Sequence, residues 1–444
     1  MLGRTSRALA LAFACSLSSL AVAPAAQANG RFPAANQLEA TPGNDGSLVL
    51  RTTFGILFSN DGAKTWDWVC ERGVGYGGIW DPPIGLFADG SVIAGTIDGL
   101  VRSPGEARGC TWSFAKSGLE KRTIVDVVVR PDAPNEGLVL ASTGGENDAG
   151  GSTFTTEIFA TIDAGRTFTA LAKDFDPLFV AQTIEVAKSD PKRVYVSGSL
   201  GDDGAFYVST DGGTTFTKHV IALVKPDERA PYIAAVSPTD AGRVYVRTCG
   251  RSSRLLVTDD GGVTFRSVFQ GPPLAGFALS ADGATVWVGS TEGVSRAATA
   301  DFAFTKLGSV AVQCLKSVGA TLYACIADPT VPYALGASSD RGATFAPVLS
   351  LAQIRGPLAC AAGTEAATCA ADWPALKATF DPGATTTSDA GGAVGPKTGG
   401  GPATGAYAAG GGCALAGAPG RGLGTVALVA AAVTTLLRRR RPRK

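Results

Sequence analysis

Short segments in which apolar and polar residues alternate recur through the middle of the chain. The run Arg193-Val194-Tyr195-Val196 is typical, because alternation at every second residue is the period of a half-buried β-strand. Many segments come in pairs joined by a polar turn, which predicts strand–turn–strand units. The clearest pairs are Ile124–Arg130 with Gly137–Ser142, Thr183–Lys188 with Arg193–Ser197, Pro231–Ser237 with Arg243–Thr248, and Leu274–Ser280 with Ala284–Gly289.

An eight-residue pattern accompanies these pairs. It runs Ser or Thr, any residue, Asp, a usually small residue, Gly or Ala, any residue, Thr, and an aromatic residue. The Asp carboxylate is suited to accept backbone N–H bonds across a turn, and Gly supplies the positive φ angles that a tight turn needs. Each match therefore predicts a hairpin between two further strands. The five matches are Ser59–Trp66, Thr161–Phe168, Ser209–Phe216, Thr258–Phe265 and Ser338–Phe345.

Repetition of this unit predicts a ring of four-stranded blades. Two more segments, Val101–Trp112 and Val294–Phe304, keep the shape of the unit but not the full octapeptide, which gives seven units. The closing aromatic residues are 39 to 56 positions apart, an interval typical of propeller blades. The predicted fold is therefore all-β, a single β-propeller of seven four-stranded blades. Six or eight blades remain open, because residues 29–58 and 346–381 can close the ring in more than one way, and a β-solenoid is a weaker alternative.

The octapeptides resemble Asp-boxes, also called bacterial neuraminidase (BNR) repeats. Such repeats occur in sialidases, sortilin-type receptors, xyloglucan-degrading hydrolases and a photosystem assembly factor. The resemblance implies that the box hairpins lie on the face away from the functional mouth. It also implies that their carboxylates are structural and not catalytic: Asp61, Asp163, Asp211, Asp260 and Asp340.

The N-terminus has the layout of a secretory signal peptide. Arg4 and Arg7 precede an apolar run, and Ala26-Gln27-Ala28 is a small-x-small cleavage site. We expect residues 1–28 to be removed after Ala28 and the propeller domain to occupy residues 29–381. The protein is thus predicted to be exported.

The C-terminus predicts a tether in three parts. Residues 382–412 are mostly Gly, Ala, Pro and Thr, which predicts a flexible stalk. An apolar stretch of 16 residues, 422–437, follows Cys413 and precedes an Arg-rich tail. It predicts a short transmembrane helix held by a stop-transfer signal, which would anchor the protein at the cell surface.

The last part of the chain, residues 413–444, also resembles the C-terminal sorting signal of myxobacterial surface proteins. The similarity lies in Gly411-Gly412-Cys413, the short apolar helix and the basic tail. It implies that Cys413 is the processed or lipidated residue. Retention, cleavage and replacement of the helix by lipid all remain open.

Charge and cysteine content refine this picture. Without the two ends, the body of the chain has 30 basic and 38 acidic residues, a net charge of about −8. This acidic balance argues against nucleic-acid binding, which requires a basic surface. Seven cysteines fall in the body, where an exported protein forms disulfides. The spacing favours Cys70–Cys110, Cys314–Cys325 and Cys360–Cys369 and leaves Cys249 over, although sequence does not settle connectivity.

Acidic residues gather on the links expected at the mouth. Carboxylates beside an aromatic residue suit a sugar or a cation, and oxygen ligands favour Ca²⁺, although nothing in the sequence specifically supports a metal or any cofactor. Solvated loop acids are the plainer interpretation. The candidate binding residues are Trp80, Asp81, Asp98, Asp126, Glu146, Asp148, Asp202 and Asp203.

Enzyme chemistry is constrained by the single histidine, His219. It is predicted on an outer strand far from the mouth, which argues against Ser-His-Asp and Cys-His centres, and zinc sites built on several histidines are excluded. A glycosidase needs only two carboxylates, for example Asp81 with Asp126. The fragment Gly30-Arg31-Phe32-Pro33 resembles the N-terminal Arg motif of sialidases. Sialidases also need further Arg residues and a Tyr–Glu pair, which do not follow it at recognisable spacing.

Three functions follow in order of preference. The first is a monomeric, non-catalytic surface propeller that binds a protein or glycan partner through its mouth, since propellers present rigid loop-built faces. The second is a secreted glycoside hydrolase acting on polysaccharide. The third is a scaffold for assembly of envelope complexes.

Overall fold

The computed structural model describes residues 33–380, apart from residues 79 and 117. Over this range the chain forms 28 strands in seven sheets, each of four consecutive strands paired antiparallel in chain order. This is a seven-bladed β-propeller, as the sequence predicts, and it rules out the six-bladed, eight-bladed and solenoid alternatives. The predicted signal peptide, stalk, Cys413 and transmembrane helix lie outside the described residues.

The first four blades contain strands β1 to β16. Blade 1 is β1 (Ala35–Thr41), β2 (Asn44–Thr52), β3 (Gly55–Ser59) and β4 (Asp67–Val69). Blade 2 is β5 (Ile84–Leu86), β6 (Val92–Gly95), β7 (Leu100–Ser103) and β8 (Ser113–Phe114). Blade 3 is β9 (Thr123–Val129), β10 (Gly137–Glu146), β11 (Ser152–Thr161) and β12 (Thr169–Ala172). Blade 4 is β13 (Phe179–Val186), β14 (Val194–Leu200), β15 (Asp203–Ser209) and β16 (Thr217–Ile221).

The last three blades contain strands β17 to β28. Blade 5 is β17 (Glu228–Val236), β18 (Val244–Gly250), β19 (Ser253–Thr258) and β20 (Arg266–Gly271). Blade 6 is β21 (Leu274–Leu279), β22 (Thr285–Ser290), β23 (Gly293–Ala298) and β24 (Thr305–Gly308). Blade 7 is β25 (Val312–Val318), β26 (Thr321–Ile326), β27 (Leu335–Ser338) and β28 (Ala346–Leu349).

Helix is confined to short pieces. Helix α1 (Glu71–Val74) begins after Cys70 and ends at Gly75, whose φ of 106° is one that few other residues adopt. Helix α2 (Trp373–Phe380) ends the described part of the chain. Three 3-10 turns, Gly105–Ala107, Leu351–Gln353 and Ala366–Ala371, complete the set.

The hydrophobic core is divided among the contacts between neighbouring blades. Leu140 of blade 3 and Val196 of blade 4 belong to one buried cluster, and Phe87 of blade 2 packs with Phe159 of blade 3 in another. Burial of each such side chain contributes roughly 1.5–3 kcal/mol, so each blade is stabilised mainly by its neighbours. Both faces of a blade are covered by its neighbours, so Val194, Tyr195 and Val196 are all buried and β14 is not half-buried as its alternation predicts.

The ring closes without exchange of strands between the chain ends. Blade 1 is built only from β1–β4 and blade 7 only from β25–β28. At the junction Lys316 of β25 forms an ion pair with Glu39 of β1 at 2.6 Å. A segment beyond blade 7, residues 350–380, then crosses the outside of this junction, and we call it the clasp.

The clasp adds a strand-like edge to blade 1. The Trp68 N–H donates to the Gly356 carbonyl at 2.8 Å, and the Leu358 N–H donates to the Trp68 carbonyl at 2.8 Å. Trp373 of α2 then packs on Trp68, with ring centroids 5.6 Å apart. Because β4 is an outermost strand, this pairing covers an edge that would otherwise be exposed.

Disulfides fix the clasp to two blades. Cys369 bonds Cys70 at the end of blade 1, and Cys360 bonds Cys110 of blade 2. The predicted pairs Cys70–Cys110 and Cys360–Cys369 are therefore wrong, because the clasp folds back on blades that are distant in sequence. Cys249, which the spacing leaves over, is also disulfide-bonded.

The Cys314–Cys325 bond is present as predicted. These residues face each other across the β25–β26 hairpin, so their closeness follows from strand register alone. The three disulfides in the described part of the chain indicate folding in an oxidising compartment, as in exported proteins. Between residues 33 and 380 no helix has the length and apolar character needed to cross a bilayer.

Candidate functional site

Strand direction divides the links of the propeller between two faces. Links that enter an innermost strand, and links between second and third strands, emerge on one face, which we call the mouth face. Links between first and second strands, and between third and fourth strands, emerge on the other, which we call the hairpin face. All five octapeptides join third to fourth strands and therefore lie on the hairpin face.

Each octapeptide Asp closes its own turn. In the first match, Asp61 Oδ1 accepts the Lys64 and Thr65 N–H groups, both at 3.0 Å, and Oδ2 accepts the Thr65 hydroxyl at 2.6 Å. The Ser59 hydroxyl donates to the same carboxylate at 2.9 Å. The Asp–Thr hydroxyl bond recurs at 2.6 Å for Asp163, Asp211, Asp260 and Asp340.

These bonds favour the ionised carboxylate. Hydrogen bonds from Thr65 lower the pKa of Asp61 to about 2, and equivalent bonds lower the pKa of Asp211, Asp260 and Asp340 further. A carboxylate whose lone pairs are committed to its own turn is poorly placed to bind or protonate a substrate. This geometry is what a structural role requires.

The octapeptides also fasten each blade to the preceding one. Their fifth residue lies against the previous blade, so that a Cβ on Gly262 would sit 2.6 Å from the Phe206 ring. The carbonyl beside this position accepts hydrogen bonds from the neighbour, for example from Arg102 Nε to Ala164 at 2.8 Å and from Trp287 Nε1 to Arg341 at 2.8 Å.

Two of the predicted site residues lie in the link that enters blade 2. Trp80 is only 8% exposed, and its indole N–H donates to the Gly95 carbonyl at 2.7 Å. Its ring is thus part of the blade 2 packing and not an open stacking surface. Asp81 is partly buried next to it and does not line the central cavity described below.

Five predicted acids lie on or beside exposed mouth-face links. Asp98, Asp148 and Asp202 belong to the β6–β7, β10–β11 and β14–β15 links, and Glu146 and Asp203 are the strand residues that border the last two links. They come from different blades, and residues 33–380 contain no group of three or more His, Cys, Asp or Glu arranged to hold a metal ion.

A central cavity of about 630 Å³ follows the axis of the ring and is lined by inner-strand residues. Asp126 of β9 is the one predicted site residue in its wall. Its carboxylate accepts the Val127 N–H at 2.9 Å and the Ile184 N–H of blade 4 at 3.0 Å. Asp126 thus joins two blades as well as facing the cavity.

The same kind of bond recurs around the ring. A side chain on one inner strand accepts a hydrogen bond from a backbone N–H of the next inner strand, and most inner strands carry a β-bulge that locally interrupts their own ladder. These bonds run from Ile84 to Gln37 at 3.4 Å, from Ile184 to Asp126 at 3.0 Å, and from Ile233 to Thr183 at 2.8 Å.

Five charged residues that the sequence analysis does not single out also line the cavity: Glu39, Arg130, Glu185, Arg247 and Lys316. Burial opposes the ammonium charge of Lys316, but its ion pair with Glu39 raises the pKa of Lys316 overall. The inner strands of Glu39, Glu185 and Lys316 also hold uncharged polar residues, so their sequence pattern does not single out these charges.

Burial weakens the acidity of two cavity carboxyls, Asp126 and Glu185. It raises the pKa of Asp126 to about 7, against the opposing hydrogen bonds of Ile184 and Val127. Burial also raises the pKa of Glu185 to about 8, with a further contribution from the charge of Asp126. Near neutral pH these two groups are therefore partly protonated, in a wall that also contains the Arg247 guanidinium.

A second cavity, of about 350 Å³, opens beside the first on the mouth face. Its walls are the β26–β27 link of blade 7, the start of the described chain at Pro33 and Ala34, and the clasp. Most of its lining is apolar, including Val331, Leu351 and Phe380. Gln313 lines both cavities, so the two are neighbours at the junction of blades 7 and 1.

Comparisons with known proteins give no family for the chain. No protein-family model matches it, and no curated protein matches it. Among solved structures, an ancestral GH74 enzyme is 13% identical with a TM-score of 0.47, covering 72% of this chain and 45% of its own. A puromycin-hydrolysing peptidase of Mycobacterium tuberculosis is 13% identical with a TM-score of 0.46, covering 72% of this chain and 53% of its own.

YCF48 from Cyanidioschyzon merolae is also 13% identical, with a TM-score of 0.46, and the match covers 67% of this chain and 94% of that one. The chain thus spans about half the length of the first two structures. At these identities and scores the comparisons carry no argument about function.

Proposed function

We propose that this protein is an exported, surface-anchored propeller that binds a protein or glycan partner through its mouth face and does not transform it. One observation carries the proposal: two neighbouring cavities, of about 630 and 350 Å³, share Gln313 at the mouth. Both fall within the size range of ligand sites, roughly 300–1,000 Å³. Anchoring rests on the sequence of the C-terminal residues alone.

The cavity carboxyls favour binding over hydrolysis. A glycosidase requires one protonated and one ionised carboxyl group, whose pKa values are pushed apart. Here burial raises the pKa of both Asp126 and Glu185, and the third cavity carboxylate, Glu39, is held in an ion pair with Lys316 at 2.6 Å. Moreover, Asp126 already accepts two backbone hydrogen bonds, which favour a positioning role within the ring.

The test compares variants that block opposite faces. Val331→Trp narrows the mouth cavity, whereas Val263→Trp adds the same bulk at a residue of the hairpin face that is 64% exposed. We expect saturable binding on a glycan or peptide array for the wild type and Val263→Trp, and its loss in Val331→Trp. Binding that is lost only in Val263→Trp contradicts the proposal.

Hydrolysis is assayed on the same samples. We expect no release of reducing ends from plant or bacterial polysaccharides by the wild-type protein. Turnover that disappears in Glu185→Gln would replace the binding proposal with the hydrolase alternative.

A further inference from the structure

The cavity at the clasp has the features of a pocket for one large apolar side chain. Its walls combine Pro33, Pro329, Pro332 and Val331 with Leu351 and Phe380 from the clasp. Prolines and short apolar side chains lose little conformational entropy when they are covered, so such a pocket is preorganised. A pocket of this kind on a rigid face is where an anchor residue of a partner inserts.

The pocket depends on the clasp for one wall. Cys70–Cys369 and Cys110–Cys360 hold the clasp against blades 1 and 2, and the Phe380 ring packs on Phe54 with centroids 5.1 Å apart. Since Phe54 lies in the β2–β3 link, the end of α2 reaches the mouth face. The two disulfides and this ring contact thus hold the clasp, which supplies the wall, against blades 1 and 2.

The mouth-face links carry a net negative charge. The links that enter the innermost strands hold as many bases as acids, so the excess comes from the links between second and third strands. On the mouth face, the links between second and third strands are acidic in five of the seven blades, and only the β18–β19 link carries a base, Arg251. A ring of exposed carboxylates attracts a basic partner and speeds its encounter. The acids are Asp98, Glu146 with Asp148, Asp202 with Asp203, Glu292 and Asp328.

One amide side chain, that of Gln313, lines both the pocket and the central cavity. A side-chain amide offers both a donor and an acceptor, which matches the alternating groups of a polypeptide backbone. The apolar pocket, this amide and the acidic links thus favour a polypeptide over a lipid or an uncharged sugar.

We propose that the mouth face binds a basic polypeptide segment of a partner protein, with one large apolar side chain inserted into the pocket between blade 7 and the clasp. This inference rests on the proposed function and names the class of partner. The apolar anchor supplies affinity, and the acidic links supply attraction at a distance.

The experiment measures fluorescence anisotropy with three labelled synthetic peptides. The first has lysines around a central phenylalanine, the second replaces the phenylalanine with alanine, and the third replaces the lysines with glutamates. We expect the first to bind at least about tenfold more tightly than either of the others. The advantage of lysine over glutamate should shrink at high salt, whereas the advantage of phenylalanine over alanine should persist.

Variants locate the binding. Val331→Trp fills the pocket and Leu351→Ser weakens its clasp wall, so each should abolish the preference for phenylalanine; thermal unfolding shows whether each is folded. Val263→Trp on the hairpin face is the matched control and should bind like the wild type. Agreement between the two pocket variants guards against a defect specific to one substitution.

Two results overturn the inference. Equal binding of the phenylalanine and alanine peptides would show that the pocket does not bind the apolar side chain. Equal binding of the lysine and glutamate peptides would show that the acidic links do not attract the partner. If no peptide binds but a glycan binds and is lost in Val331→Trp, the inference fails while the proposed function stands. If ligands of every class bind only through the hairpin face, both fail.

Discussion

Individual carboxylates in this protein fall into two groups with opposite electrostatics. The octapeptide aspartates accept hydrogen bonds within their own turns, which lowers their pKa values. The cavity carboxyls Asp126 and Glu185 are surrounded by protein, which raises theirs. The first group is recognisable from sequence because each octapeptide contains both the acceptor and its donors. The second is not, because its environment is assembled from blades far apart in the chain.

Loss of an octapeptide carboxylate should destabilise the fold. In Asp61→Ala the Lys64 and Thr65 N–H groups and the Thr65 hydroxyl lose their acceptor. We expect the melting temperature to fall by ~1–2 °C, because a loss of about 1 kcal/mol shifts a domain of about 350 residues less than a smaller one. Differential scanning calorimetry measures it, with Asp148→Ala on an exposed mouth link as the control.

The same variant has a predicted pH dependence. The pKa of Asp61 lies below its ordinary value, so its stabilisation is present above pH 3.8 and is lost as pH falls towards about 2. The wild type and Asp61→Ala should therefore converge in stability under acid. A difference that is unchanged between pH 6 and pH ~2 would contradict this account.

Glu185 should give the opposite dependence. Its pKa rises from 4.5 to about 8 on folding, so the folded state holds a proton that the unfolded state releases, and the free energy of unfolding declines as pH rises through this window. Glu185→Gln removes that contribution and should flatten the decline. Urea denaturation at a series of pH values measures the slope, with Glu146→Gln as an exposed control. Identical slopes for the wild type and Glu185→Gln would show that Glu185 is not held protonated.

At the level of elements, the octapeptide hairpin is both a turn and a joint between blades. Its fourth and fifth residues have positive φ angles in all five matches, for example 74° at Gly261 and 101° at Gly262. The turn conformation was predictable from the Gly-rich pattern. The contact with the preceding blade was not predictable, because it depends on which side chain of that blade lies beneath the fifth residue.

Two glycine substitutions separate these roles. At Gly212, with φ of 80°, an added Cβ meets nothing within 4 Å, so Gly212→Ala should cost only the left-handed strain of about 1–2 kcal/mol. At Gly262 the added Cβ lies 2.6 Å from Phe206, so Gly262→Ala should cost about 1–3 kcal/mol more. Chemical denaturation of the two variants compares them. Equal stability would mean that the blades are not tightly joined there.

At the level of the whole molecule, the clasp replaces the exchange of strands as the closure of the ring. It touches blades 7, 1 and 2, and two disulfides fix it. Blade number and strand order followed from repetition in the sequence, since every unit repeats the same local signals. The clasp has no repeat and little periodicity, so neither its path nor the Cys70–Cys369 and Cys110–Cys360 bonds could be inferred.

Removal of the clasp disulfide should cost more than removal of the hairpin disulfide. With Cys110–Cys360 intact, Cys70–Cys369 closes a loop of about 50 residues, the difference between the two sequence separations. Loop entropy then predicts about 4 kcal/mol, against about 3 kcal/mol for the 11-residue separation of Cys314 and Cys325. Melting temperatures of the two double Cys→Ser variants provide the comparison. A larger loss for the hairpin pair would mean that the clasp does not hold the ring closed.

The mouth face binds the partner and the hairpin face holds the blades together. Amide hydrogen exchange of the protein with and without the lysine–phenylalanine peptide tests this assignment most directly. The account predicts that binding protects the mouth-face links, above all residues 327–334 and the end of α2, and leaves exchange in the five octapeptides unchanged. Protection that maps to the octapeptides, with the mouth links unaffected, would contradict it.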